Sequence, residues 1–437
     1  VVTYAFRATP ASYTVSGSNI ASFTQLTATQ ITAVRAALQA WSEVSGISFV
    51  EVNPGGYSDS ATMLFANYSD ATDGAGAFAF FPGSTASTAQ AGDVWLNTNA
   101  IPTVGAINAG SYAYSAIMHE IGHAIGLSHP GTYNAGPGQT ITYAANAQFT
   151  EDSDQYSLMS YFDEANTGAQ FFGHAETPMM FDMLAAQNVY GANLATRAGN
   201  TIYGFNSTAG TLYNFVLNPT PAFTIWDGGG IDTIDGSGFL TNQTINLNEG
   251  QFSSVSNGTN NIAIAIGVVI ENAIGGGGND TIHGNAANNV LNIGTGGDDI
   301  VQARDGNDTI VAGALLTALD TIDGGAGTDS LDLSGNYALT FGATTMTNVE
   351  TLNLAAGSSY NLTTNDANVG AGQTLSVNAS GLLAGQTLTF NGSAETNGSF
   401  NIQGGAGNDD LFGGAGSDIY AGNGGNDLFR LYSGGID

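Results

Sequence analysis

The sequence predicts two architectures in series. A mixed α+β domain runs to about residue 190, and an all-β C-terminal region built on parallel β-roll repeats follows it. Three observations carry this reading. Up to residue 191, apolar residues recur at strand-like and helix-like spacings. From about 191 glycine dominates, the helical period stops, and a nine-residue unit repeats. At 437 residues the chain is also too long for one hydrophobic core.

The elements of the first part follow in order. VTYAF reads as a strand. LTATQITAVRAALQAWSEVSG reads as an amphipathic helix, with Ile31, Val34, Leu38 and Trp41 on one side. ISFVEV and TMLFANY are strands by alternation and β-branching, and GAFAFFPG and GDVWLN are strand-like as well. PMMFDMLAAQNVYG, from 178 to 191, reads as a helix that closes the domain.

Three of the chain's five histidines fall within residues 119 to 129, HEIGHAIGLSH. On a helix His119 and His123 share one face and present two imidazoles at one point. Gly126 is placed to end the helix, because glycine accepts the left-handed conformation, and the chain can then return His129 to the same point. Three nitrogens and an open fourth position suit a catalytic zinc. Glu120 lies beside the open side as a base rather than a ligand. Ile117, Ile121 and Ile125 form the opposite, core-facing stripe. A core helix with buried histidines is the bland alternative, and three histidines at these offsets argue against it.

The spacing HExxHxxGxxH is the metzincin signature, which calls for a methionine turn downstream. YSLMSYF, at 156 to 162, supplies Met159. HEIGHAIGLSHPGTYNAG followed by QYSLMSYF resembles the serralysins, secreted bacterial zinc proteases within the metzincins. The resemblance implies a metzincin-like zinc protease domain over residues 1 to 190. It places Met159 beneath the zinc and gives Tyr161 a role in catalysis. It also makes AFAFFPG the edge strand over the cleft, where an extended peptide can be added as a further strand.

The nonapeptide GGxGxDxUx recurs after 191. GGGGNDTIH starts at Gly275, GGAGTDSLD at Gly324, GGAGNDDLF at Gly404, GGAGSDIYA at Gly413 and GNGGNDLFR at Gly422. This is the calcium-binding β-roll repeat. Glycines allow the sharp turns, and the aspartate offers a hard anionic oxygen that suits Ca²⁺. The expected calcium residues are Gly276, Gly278 and Asp280; Gly294, Gly296, Asp299 and Asp308; and Gly325, Gly327 and Asp329. In the last block they are Gly405, Gly407, Asp409, Gly414, Gly416, Asp418, Gly422, Gly424 and Asp427. Two nonapeptides make one turn, so Asp409 is expected to stack with Asp427. The apolar eighth positions Ile282, Leu331, Leu411 and Phe429 are expected to fill the core. By resemblance to serralysin segments, Arg197, Gly199, Thr201, Asp227, Gly229, Gly230, Asp232 and Glu271 are further calcium positions.

These patterns segment the chain into a protease domain (1–190), a calcium-binding sandwich or roll (191–332), a Thr/Asn/Ala-rich β segment (333–403) and a second roll block (404–437). The third segment departs from the serralysin layout, and its composition resembles bacterial surface-layer proteins. LYSGGID at the end reads as the opening of another repeat.

The net charge is −31, from 36 acidic and 5 basic residues. Such a chain is a poor partner for nucleic acid or anionic membranes. Divalent cations are the natural compensation. No cysteine is present, which excludes thiol chemistry and disulfides, and no apolar run is long enough to span a membrane. The expectation is an extracellular, monomeric zinc endopeptidase acting on protein or peptide substrates, including a surface-layer protein. The rival is a calcium-binding surface or adhesion protein with an inactive protease-like domain.

Overall fold

A computed structural model describes residues 1–83, 89–134, 136 and 139–431. Of LYSGGID, only Leu431 lies among them. The chain divides into two compact units. The first comprises Val1–Ala198, Leu217–Gly229 and Gly258–Val268, and the second Gly199–Val216, Gly230–Asn257 and Val269–Asp437.

In the first unit, strands β1 (Val2–Phe6), β2 (Phe49–Glu51), β3 (Met63–Tyr68), β4 (Ala77–Ala79) and β5 (Val94–Asn97) form one sheet in the order β2-β1-β3-β5-β4. β4 alone is antiparallel and lies at the edge, with Phe78 opposite Trp95. β3 is buried along its whole length, as a central strand covered on both faces must be. Helix α1 (Ala28–Val44) starts at a capping box between Thr27 and Gln30. It buries Val34, Leu38 and Trp41 together with Ala33 and Ala37, while Ile31 sits at the margin of that face. Helix α2 (Tyr112–Ala124) packs on α1, and the Trp41 indole N–H donates to the Met118 carbonyl at 3.1 Å. Helix α3 (Met180–Tyr190) follows.

The second unit is a ladder of short parallel strands. Ten of them form one face, from Ile202–Gly204 to Ile419–Ala421. Ile234, Ala273, Leu291, Ile310, Leu331, Leu352, Val377 and Ile402 stack in register along it and are all essentially inaccessible. The opposite face consists of a four-stranded and a five-stranded sheet. Ile282 and Leu411 are fully buried there, whereas Phe429, which pairs with Leu411 on the last described rung, is 43% exposed. Residues 333 to 403, distinct in composition, continue the same ladder: Ser330–Leu333 pairs with Thr351–Leu354, and Thr374–Asn378 with Ser399–Gln403. The rung length varies along the ladder. Asp409 N donates to Asp427 Oδ1 18 residues on, Asp308 N to Asp329 Oδ1 21 residues on, and Asn378 Nδ2 reaches back 25 residues to Asn353 Oδ1.

Carboxylates line the ladder's edges. Gln243, Asp280 and Asp299 donate their backbone N–H in turn to Asp280, Asp299 and Asp320 at 2.7–2.8 Å. On the other edge Asn289, Asp308 and Asp329 donate to Asp308, Asp329 and Glu350 at 2.7–2.8 Å. Burial, reinforced by neighbouring acids, pushes the carboxyl of Asp299 up to about 7 and that of Asp308 up to about 6. The folded chain therefore binds protons more tightly than the unfolded chain, whose aspartates titrate near ~3.9. Without calcium, stability should fall as pH rises from about 4 to about 7. With calcium the slope should reverse, because the ion binds the deprotonated form and competes with protons. Melting temperatures of the whole chain across this window, in calcium-free and calcium-containing buffer, test the point, and parallel profiles would overturn it.

Candidate metal centre

The metal centre is built by the end of α2 and the loop after it. Gly126, at φ +107°, leaves the helix, and its N–H donates to His123 O while Leu127 N–H donates to Gly122 O. The reversal brings the third histidine back. His119 and His123 Nε2 lie 3.2 and 3.0 Å from His129 Nε2. Each ring spends its other nitrogen on a backbone carbonyl: His119 Nδ1 on Leu158 O (2.9 Å), His123 Nδ1 on Leu127 O (2.7 Å) and His129 Nδ1 on Tyr133 O (2.9 Å). The Nδ1 proton is thereby fixed, and three Nε2 lone pairs face one point.

Burial holds His119 down to about 3 and His123 down to about 4, so neither ring is cationic at neutral pH. Lone pairs this close repel unless a cation lies between them. Tetrahedral zinc with Zn–N of 2.0–2.1 Å separates its ligands by about 3.3 Å, close to the spacings here. The donor set fits zinc, and the three histidines are the one such group among the described residues.

Glu120 points to the same place from the next helical position. It is 7% exposed, its Oε2 is buried without a hydrogen-bond partner, and burial pushes its carboxyl up to about 8. Tyr161 is 38% exposed, and its ring lies 4.3 Å from that of His129. These residues line a cleft of about 490 Å³ with Phe78, Ala79 and Phe81, which extend along edge strand β4. Met159 is buried beneath the helix: a Cβ on Gly122 would meet its Sδ at 2.5 Å and Trp41 Cζ2 at 3.2 Å. The glycine of HEIGH is thus required by the methionine.

The sequence reading missed two buried acids that hold this arrangement. Asp182, on α3, accepts from Ser157 Oγ (2.7 Å), Leu158 N (2.6 Å) and Met179 N (2.8 Å). It fixes the turn whose Leu158 carbonyl orients His119. Asp152 accepts from Tyr133 Oη (2.7 Å) and Ser160 Oγ (2.8 Å), and Tyr133 stacks on His129. Neither acid belongs to a short motif, so only the fold reveals them.

The expected calcium residues sit in the turns of the ladder. Asp280 Oδ2 accepts from Gly276 N, and Asp409 Oδ2 from Gly405 N at 2.8 Å. Gly327, at φ +148°, leaves no room for a side chain against the Gly306 carbonyl. Gly278, Gly294, Gly296, Gly325, Gly407, Gly414, Gly416, Gly422 and Gly424 occupy equivalent turns. Thr201 N donates to Asp232 Oδ1 (2.7 Å) and Asp232 N to Glu271 Oε2 (2.8 Å) within the second unit, which also holds Gly199 and Gly230. Arg197, Asp227 and Gly229 fall in the first unit, where Gly229 N donates to Asp227 Oδ1 (2.8 Å) and Arg197 pairs with Glu43.

Comparison with known families agrees with both halves. Residues 5–161 match the matrixin model, 192–400 the peptidase M10 serralysin C-terminal model, and 401–429 the RTX calcium-binding nonapeptide repeat. The chain resembles the serralysin type in both halves. It is 44% identical over 300 residues to metallopeptidase AprA of Pseudomonas marginalis, covering 66% of this chain and 61% of that protein. Over 266 residues it is 43% identical to serralysin B of Dickeya chrysanthemi, covering 59% of this chain and 54% of that protein. The alignments thus span little more than half of each relative. The matrixin match implies zinc at the triad, and the RTX match implies calcium in the ladder.

Two substitutions test the site. His123→Ala should abolish zinc retention after dialysis, measured by metal analysis. Asp182→Ala strands three donors and should cost on the order of 3 kcal/mol; denaturant unfolding showing less than about 1 kcal/mol would mean the methionine turn is held by other contacts.

Proposed function

We propose that the chain is a secreted, calcium-stabilised zinc endopeptidase that cleaves extended protein substrates. The carrying observation is the convergence of three Nε2 atoms beside a buried, unpaired Glu120 oxygen, on the floor of a cleft edged by β4. Zinc held by His119, His123 and His129 would supply a Lewis acid and lower the pKa of a bound water. Glu120 takes the proton as the water attacks and returns it to the leaving amine. Tyr161, at the mouth, donates its phenolic O–H to the developing oxyanion. β4 offers backbone groups along its free edge, so the substrate binds extended, and side chains are read only in pockets.

Secretion accords with the calcium ladder. Extracellular modules bind calcium at roughly 10⁻⁴ to 10⁻³ M, so the second unit folds on reaching calcium outside the cell. Among the described residues no helix is long and apolar enough to cross a membrane. We propose a monomer. A surface-layer protein as natural substrate rests on the composition of residues 333 to 402 alone, and their place in the ladder also accounts for them as scaffold. Casein is therefore the substrate for the first test.

Glu120→Gln should keep zinc and lose turnover on the order of a hundredfold or more, while Tyr161→Phe should lower turnover with zinc content unchanged. Casein cleavage should stop with a zinc chelator. Chelator-insensitive or absent cleavage by zinc-loaded protein would favour the rival reading, a calcium-binding surface protein with an inert protease-like domain.

A further inference from the structure

Where the last repeats begin, the rung beneath them is not a repeat. Asp418 Oδ1 accepts from Phe400 N at 2.8 Å, 18 residues away, where a regular ladder would hold another aspartate. The turn leading into that rung runs from Gly392 to Gly398 and contains Glu395. Glu395 is fully buried. Its Oε1 accepts from Asn397 N (2.9 Å) and Gly398 N (2.7 Å), and its Oε2 is buried without a partner.

The repeat turn at Gly413–Gly416 lies directly against this carboxylate's residue. Ala415 N donates to Glu395 O at 2.9 Å, and a Cβ on Gly414 would come within 2.7 Å of Glu395 Cβ. On the opposite side Asp366 Oδ1 accepts from Thr396 N and Oγ1 at 2.8 Å. Three successive turns thus bring Asp366, Glu395 and Asp418 to one edge. A buried carboxylate oxygen with no hydrogen-bond partner calls for a cation or a donor beside it. The chain contains no lysine; of its five arginines, Arg7, Arg35, Arg197 and Arg430 pair with Asp93, Glu51, Glu43 and Asp410, and Arg304 lies in another turn, where its carbonyl accepts from Ala326 N.

We infer that Glu395 and Asp418 hold a Ca²⁺ at the junction between the non-repeat segment and the last repeat block. Turn carbonyls and water supply the remainder of the about six to eight oxygens that calcium takes. Glutamate's extra methylene lets a turn without the GGxGxD pattern place a carboxylate at the edge. The site thereby joins two stretches of ladder with different rung lengths. This inference rests on calcium binding by the repeats and is independent of peptidase activity.

Calcium stoichiometry by isothermal titration of the full chain tests it. Glu395→Gln should bind one calcium fewer than the unsubstituted chain and gain less melting temperature from calcium, with zinc content and casein cleavage unchanged. Equal stoichiometry in both would overturn the site. Absence of calcium binding by the unsubstituted chain would instead remove the calcium reading of the whole ladder. If Glu395→Gln does not fold, crystals of the unsubstituted chain grown with Tb³⁺ in place of calcium decide. An anomalous peak bonded to Glu395 supports the site, and a map without one overturns it.

Discussion

The structure depends on bringing like groups together and leaving their neutralisation to ions from outside. The chain has 36 acids and 5 bases, so side-chain cations cannot balance its buried anions. At the zinc centre three neutral imidazoles turn lone pairs towards one point. In the repeat turns of the ladder, buried aspartates follow one another and accept backbone amides from their neighbours. At some of these acids the amides satisfy one oxygen only. At Asp308 and Asp329 the other oxygen stays buried without a partner, and repulsion between neighbours remains. Both halves are therefore metal-dependent for one physical reason, although one uses soft-tolerant nitrogen donors and the other hard oxygen.

The parts legible in the sequence are those encoded by local spacing. Two histidines four apart, a helix-ending glycine and a third histidine fix the centre, because helical geometry converts spacing into position. The nonapeptide phase fixes the ladder in the same way, and it placed Ile282, Leu331 and Leu411 in the core. Asp182, Asp152 and Tyr133 were not legible, because each acts across a distance in sequence that no local period spans. Asp320, Glu350 and Glu395 were missed for a related reason. They continue the carboxylate edges where rungs lengthen, so the nine-residue phase no longer points to them. Phe429 keeps the phase, lies on the last described rung and is 43% exposed.

The zinc centre shows how burial becomes rigidity. Gly122 exists so that Met159 and Trp41 can approach α2, and that packing sets the height of the methionine turn. Asp182 then fixes the turn's amides, and the Leu158 carbonyl orients His119. A displacement at α3 would reach the metal through three hydrogen-bonded or packed steps, all within one unit. On the open side Tyr161 is 38% exposed, and its hydroxyl donates to Asn134 Oδ1 at 3.4 Å.

Residues 333 to 402 solve the ladder's electrostatic problem differently. On their outer face Asn353 Nδ2 donates to Asp332 Oδ1 (2.8 Å), and Asn378 Nδ2 donates to Asn353 Oδ1 (3.3 Å). An amide side chain carries both a donor and an acceptor, so stacked asparagines satisfy one another along the ladder. Stacked aspartates cannot, since an ionised carboxylate only accepts. The low charge and high Asn and Thr content of this stretch are what a parallel ladder needs in order to stand without a cation. Calcium is then required only towards the two ends of this stretch, where the carboxylates of Glu350 and Glu395 stand.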